Sequence, residues 1–157
     1  MALFTTEYAY KVDRKGRVSV PADFRQALAT QAFQGIVVFP TNGQKALDGY
    51  GHDRVEQLAE ALDNPDLYGE EDLAMAEILF AEAHRLPFDA EGRVVLPEAC
   101  LKHAGIEEQV IFAGHGKYFR IWHPAAYESY KASQRAKLAA TGKSLRLKPI
   151  PKTGGSA

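Results

Sequence analysis

Near its start the chain alternates Tyr8, Tyr10 and Val12 with polar residues, and the alternation resumes at Val18 and Val20 beyond a Lys15-Gly16 turn. A period of two predicts half-buried strands, with Arg17 and Ser19 on the face opposite the valines, so that Arg17 points outward. Pro21 ends this strand and is expected at the first position of a short helix carrying Phe24 and Leu28. The β-branched run Ile36-Val37-Val38-Phe39 predicts a buried strand and Asn42-Gly43 a turn. A further strand ending at Tyr50 leads into a helix that carries Val55.

The same order of elements then returns. Val12-Asp13-Arg14-Lys15-Gly16-Arg17-Val18-Ser19-Val20-Pro21 recurs as Phe88-Asp89-Ala90-Glu91-Gly92-Arg93-Val94-Val95-Leu96-Pro97, at an offset of 76 residues. Cys100 and Ala104 stand where Phe24 and Leu28 stood, and Gly105 suits a left-handed helix end. Val110-Ile111-Phe112, a glycine turn at 114–116, a strand ending at Trp122 and a helix carrying Tyr127 complete the second copy. The organisation read from this is a first repeat over 1–62, a linker over 63–85, a second repeat over 86–135 and a basic tail over 136–157. In the linker, Asn64-Pro65-Asp66 marks a turn, and a stripe of Leu73, Ala76, Phe80 and Ala83 predicts a helix over 70–85. Residues 141–157 combine Gly, Ser, Pro and Lys and are expected to be disordered. About five short strands per copy cannot cover both of their faces, so the expected fold is α+β with one shared core. The two copies are expected to pack as a pseudo-symmetric β-barrel, with helices over its edges.

Composition narrows the classes of function. With 46% apolar and 25% charged residues the chain reads as globular, and its apolar runs are far shorter than the roughly 20 residues that span a bilayer. Residues 1–10 lack the basic and apolar pattern of a secretory signal, so a cytoplasmic location without membrane attachment is expected. A single cysteine, Cys100, forms no intramolecular disulfide or thiolate cluster and is expected in the core. The net charge of −1 argues mildly against nucleic acid, but the charges are segregated. Residues 53–82 hold ten acids against one arginine, 131–152 hold seven bases and no acid, and 11–25 hold five bases against two acids. Because charges beyond about 8 Å are largely screened at physiological salt, the local patches matter more than the sum.

The repeated Asp-x-x-Gly-Arg element carries the candidate chemistry. Asp13 can accept hydrogen bonds from the turn backbone, Gly16 supplies a positive φ, and Arg17 can pair with Asp13. Such a pair could serve only to staple a hairpin. Its recurrence as Asp89, Gly92 and Arg93 favours an oriented guanidinium suited to phosphate or to guanine O6 and N7, on a ribbon narrow enough for a major groove.

These paired elements, together with Phe24-Arg25, Phe88-Asp89, the turn at 114–117 and Ile121-Trp122, resemble the MraZ family. The resemblance implies two AbrB-like β modules of swapped-hairpin or double-ψ type and a nucleoid-associated transcriptional regulator of the division and cell-wall gene cluster. It further implies a ring-like homo-oligomer on tandem repeats of double-stranded operator DNA. Carried over by position, Arg17 and Arg93 face DNA, oriented by Asp13 and Asp89, with Lys15 on phosphate and Arg14 beside it. Glu91 stands where the first copy has Lys15, which sets the two copies apart. The alternative within the same fold is an AbrB-type antitoxin or protein-interaction adaptor.

Enzymatic readings find little support. Gly142-Lys143-Ser144 lacks the upstream glycine of a phosphate-binding loop, where Lys137 stands, and Gly116-Lys117 lacks both that glycine and the following Ser or Thr. The five histidines include no pair at helical ligand spacing. No catalytic residue, metal, cofactor or small-molecule substrate is therefore expected.

Overall fold

The computed structural model describes residues 2–64, 66–142 and 144–145. The chain divides into two compact units, 1–127 and 128–157, and both copies of the repeat lie almost entirely in the first. Each copy contributes four strands. The first supplies β1 (Glu7–Lys11), β2 (Arg17–Ser19), β3 (Gly35–Pro40) and β4 (Ala46–Tyr50), with helices α1 (Ala22–Ala27) and α2 (His52–Leu62). After α3 (Glu70–Ala81) the second supplies β5 (His84–Pro87), β6 (Arg93–Val95), β7 (Gln109–Gly114) and β8 (Phe119–Trp122), with α4 (Glu98–Ala104) and α5 (Pro124–Thr141).

The strands exchange partners between copies. One antiparallel sheet has the order β1-β7-β8-β4-β3-β5, and a separate ribbon pairs β2 with β6. Exchanging each strand for its counterpart in the other copy reverses the sheet order without changing it, so the fold has a pseudo-two-fold axis between β4 and β8. Tyr8 of the first copy sits opposite Phe112 of the second, and Leu86 of the second opposite Ile36 of the first. The hairpin expected around Lys15-Gly16 does not form a ladder, because β1 and β2 belong to different sheets. Among the described residues the hydrogen-bond ladders are an open sheet and a ribbon, with no closed barrel. Each ribbon strand is three residues long, and two residues beyond each stands a proline, Pro21 or Pro97, which cannot donate to a ladder.

The shared core lies on one face of the large sheet. Tyr8 and Tyr10 border it from β1, while Val18 and Val94 of the ribbon, Phe24 of α1 with Leu28 just after it, and Cys100 and Ala104 of α4 fill it. Phe4, Phe24, Phe112 and Phe119 meet there edge-on or tilted, with centroids 5.0 to 6.3 Å apart. On the opposite face Phe39 meets Phe80 of α3, and Trp122 meets Tyr127 in the first turns of α5. This second face explains why β3 reads as an unbroken apolar run, since both of its sides are covered.

Three boundaries differ from the sequence reading. The linker helix ends at Ala81, and Arg85 lies in β5, opposite Val37. Pro21 and Pro97 stand one place before the helices, as N-caps with extended backbone (ψ 138° and 151°), rather than at the first helical position. Helix α5 continues to Thr141, into the stretch assigned to the tail, while residues 143 and 146–157 of the expected disordered segment lie outside the described residues. Gly105 takes the expected left-handed helix-end conformation (φ 64°). No helix among the described residues is long and apolar enough to cross a membrane.

Candidate nucleic-acid interface

The two Asp-x-x-Gly-Arg turns have nearly the same bonding. In the first, Asp13 Oδ1 accepts from the backbone N–H of Lys15 and of Arg17, both at 2.9 Å, and Oδ2 accepts from Arg17 Nε at 2.6 Å. In the second, Asp89 Oδ1 accepts from Glu91 and Arg93 N–H at 2.9 Å, and Oδ2 accepts from Arg93 Nε at 2.9 Å. Gly16 and Gly92 close the turns with φ of 81° and 77° and donate N–H to the Asp13 and Asp89 carbonyls at 3.0 Å. Aspartate suits this position because its short carboxylate reaches two backbone donors and one side-chain donor at once.

These bonds set the electrostatics. The backbone N–H of Arg17, with help from the Arg17 side chain and the Lys15 N–H, holds the Asp13 carboxyl below the ordinary carboxylate range. Asp89 is lowered in the same way, first by the Arg93 N–H. The side-chain bond to Asp89 in turn keeps Arg93 more firmly protonated, and the negative charges of Glu91 and of Asp13 from the other copy add to this.

Each turn is also tied to the other copy. Leu96 donates its N–H to the Gly16 carbonyl at 2.8 Å and Val20 to that of Gly92 at 3.1 Å. The ribbon register places Arg17 opposite Val95, Val18 opposite Val94 and Ser19 opposite Arg93. Val18 and Val94 face the core, so Arg17, Ser19, Arg93 and Val95 share the outward face. The arginines stand diagonally across the ribbon, about 7–8 Å apart at the backbone. A major groove about 12 Å wide admits a two-stranded ribbon, so the arrangement can present two anchored guanidiniums side by side to a duplex.

All six sequence-predicted residues therefore meet at one end of the fold. Arg14 and Lys15 are exposed on the first turn, whereas the second has Ala90 and Glu91 there. Glu91 reaches Arg93 Nη2 at 3.3 Å, so Arg93 has two carboxylate partners. Arg17 has only Asp13 among the described residues, leaving its terminal nitrogens open. Arg25 is a residue that sequence reasoning did not place. It reaches from α1 to the second turn, donating Nε to the Val20 carbonyl at 3.1 Å and lying against Gly92, where a Cβ would come within 2.6 Å of its guanidinium.

Elsewhere, Ala76 and Phe80 of the stripe expected on α3 are half-buried and Leu73 is exposed, while Met75 and Ile78, outside that stripe, are 61% and 62% exposed. The latter two border an open cleft of about 650 Å³ that also takes in Leu79, Ala99, Cys100 and His103. Cys100 is buried as expected, and burial pushes its thiol up to about 11, so it is not a poised nucleophile. No three His, Cys, Asp or Glu side chains converge to hold a metal among the described residues.

The chain matches a family model described as "MraZ protein, putative antitoxin-like" over residues 3–48 and 79–147. A protein of Rickettsia canadensis named transcriptional regulator MraZ is 42% identical over 130 residues, covering 83% of this chain and 87% of the relative. A Rickettsia bellii protein of the same name is 44% identical over 122 residues, covering 78% and 81% respectively. A third, from Rickettsia akari, is 40% identical over 136 residues, covering 86% and 91%.

Proposed function

The chain belongs to the MraZ family, and on that premise we propose that it is a transcriptional regulator that binds double-stranded DNA in a sequence-specific manner through the β2–β6 ribbon. The observation that carries this reading is the pair of arginines, each locked by its own aspartate through Nε, on a shared outward face. A guanidinium held at Nε alone, as in Arg17, keeps its terminal nitrogens for a ligand in the planar geometry that suits guanine O6 and N7 or a phosphate, whereas Arg93 shares Nη2 with Glu91. Lys15 and Arg14 add phosphate contacts beside Arg17, which makes the first turn the stronger of the two.

The regulated genes are those of the division and cell-wall cluster, and the protein works in the cytoplasm on the nucleoid. It binds tandem operator repeats as a ring-like homo-oligomer, in which linked subunits gain about 10² to 10⁴ in avidity. Self-association is supported by the exposed apolar side of α3. An AbrB-type antitoxin or interaction adaptor is the second reading, favoured by the same apolar side. A mobility-shift assay with guanine-rich tandem repeats at two salt concentrations separates them. The DNA reading expects a shift that weakens steeply with salt, and the adaptor reading expects none at either salt.

A further inference from the structure

The outward face of the ribbon breaks the pseudo-symmetry of the fold at one place that bears on base recognition. Ser19 and Val95 occupy equivalent positions, each opposite the arginine of the other copy. Val95 is 53% exposed, an apolar side chain lying across from Arg17 on the surface that carries both guanidiniums. Its γ-carbon lies where a Cβ on Gly16 would meet it at 3.7 Å, so the side chain leans over the first turn. The major-groove edge of a base pair offers donors, acceptors and one apolar feature, the C5-methyl of thymine. We propose that Val95 is a specificity-determining residue that packs against the C5-methyl of a thymine next to the base reached by Arg17, while Ser19 makes no such contact beside Arg93.

This rests on the DNA-binding reading above, and the test separates the two. The probe is a duplex selected by the wild-type protein from a random-sequence pool, with each thymine replaced in turn by deoxyuridine, which removes only the methyl. One replacement is expected to weaken wild-type binding about fourfold, the effect of one buried methyl-sized group. Val95→Ser, which installs the residue of the equivalent position, should bind the parent duplex more weakly by a similar factor and ignore that replacement. Val95→Thr keeps the β-branched shape and one methyl, so it should retain part of the response even if the serine variant folds poorly. The proposal is overturned if no single replacement weakens wild-type binding by as much as about twofold. It is equally overturned if Val95→Ser responds as the wild type does, or if the selected duplexes share no thymine. A wild-type protein that selects no duplex contradicts the DNA-binding reading itself, and this inference with it.

Discussion

Segments 13–19 and 89–95 are bonded alike and surfaced differently. Both use an aspartate to gather two backbone N–H groups and one arginine Nε, and both close on a glycine of positive φ. Yet the first presents Arg14, Lys15 and Ser19 where the second presents Ala90, Glu91 and Val95. The positions that agree are those whose atoms are hydrogen-bonded or packed inward. Those that differ face solvent, where a substitution leaves the turn geometry intact and changes what the surface can bind. One fold thus carries two unequal contact surfaces, and the following predictions probe that inequality and the frame beneath it.

The largest effect is expected from separating the copies. A chain ending near Asp63 removes β7 from β1, β5 from β3 and β6 from β2, which exposes ladder edges and the apolar face they share. About 60 residues with half a core should show no cooperative thermal unfolding. A sharp transition would mean that each copy folds alone.

The turn glycines come next. A Cβ on Gly16 would lie 2.9 Å from the Leu96 carbonyl oxygen, whereas on Gly92 it would meet the movable Arg25 side chain. Gly16→Ala should cost about 1–3 kcal/mol, combining left-handed strain with a backbone clash, and Gly92→Ala should cost less. Denaturant midpoints of the two variants check the order.

A smaller gain should follow from restoring the charge of the first turn to the second. Glu91→Lys releases Arg93 from its second carboxylate and adds a phosphate contact. Operator affinity should rise, and the slope of log affinity against log salt should steepen by about one unit. An unchanged slope would place the second turn away from phosphate.

The smallest effect concerns acid. Asp13 and Asp89 are lowered in the folded protein, so the stability they contribute is present above the ordinary carboxylate value near 4 and is lost as pH falls through their folded values. Carboxyl carbon shifts should titrate below about 4 for both residues. Midpoints at or above it would mean that the turn bonds are not held in solution.

Much of this frame was legible from local rules. Alternation put Val18 and Val20 inward and Arg17 outward, and the glycines of both turns were readable as positive-φ positions. Strand partnership was not legible, because a period of two says which face is buried and not which strand lies alongside. Hence Lys15-Gly16 read as a hairpin, although the ribbon is made of one strand from each copy. The end of α3 was missed for a related reason. Ala76, Phe80 and Ala83 continue a helical spacing with no glycine or proline until Pro87, and the pairing of β5 with β3 decides the matter from a distance. The exposure of Leu73 was equally hidden, since a helical stripe gives the side that faces the protein but not how far along the helix that side is covered.

The central claim is that the anchored arginines face DNA, and operator affinity of Arg17→Ala and Arg93→Ala at several salt concentrations, with thermal stability measured in parallel, tests it most directly. Both variants should fold and bind more weakly, by about 1–3 kcal/mol where a guanine is read or with a salt slope reduced by about one where only phosphate is touched. Arg17→Ala should be the more damaging, since Arg93 is already shared between Asp89 and Glu91. If both variants fold and bind the operator as tightly as the parent, the arginines only brace their turns and the ribbon is not the DNA-binding surface.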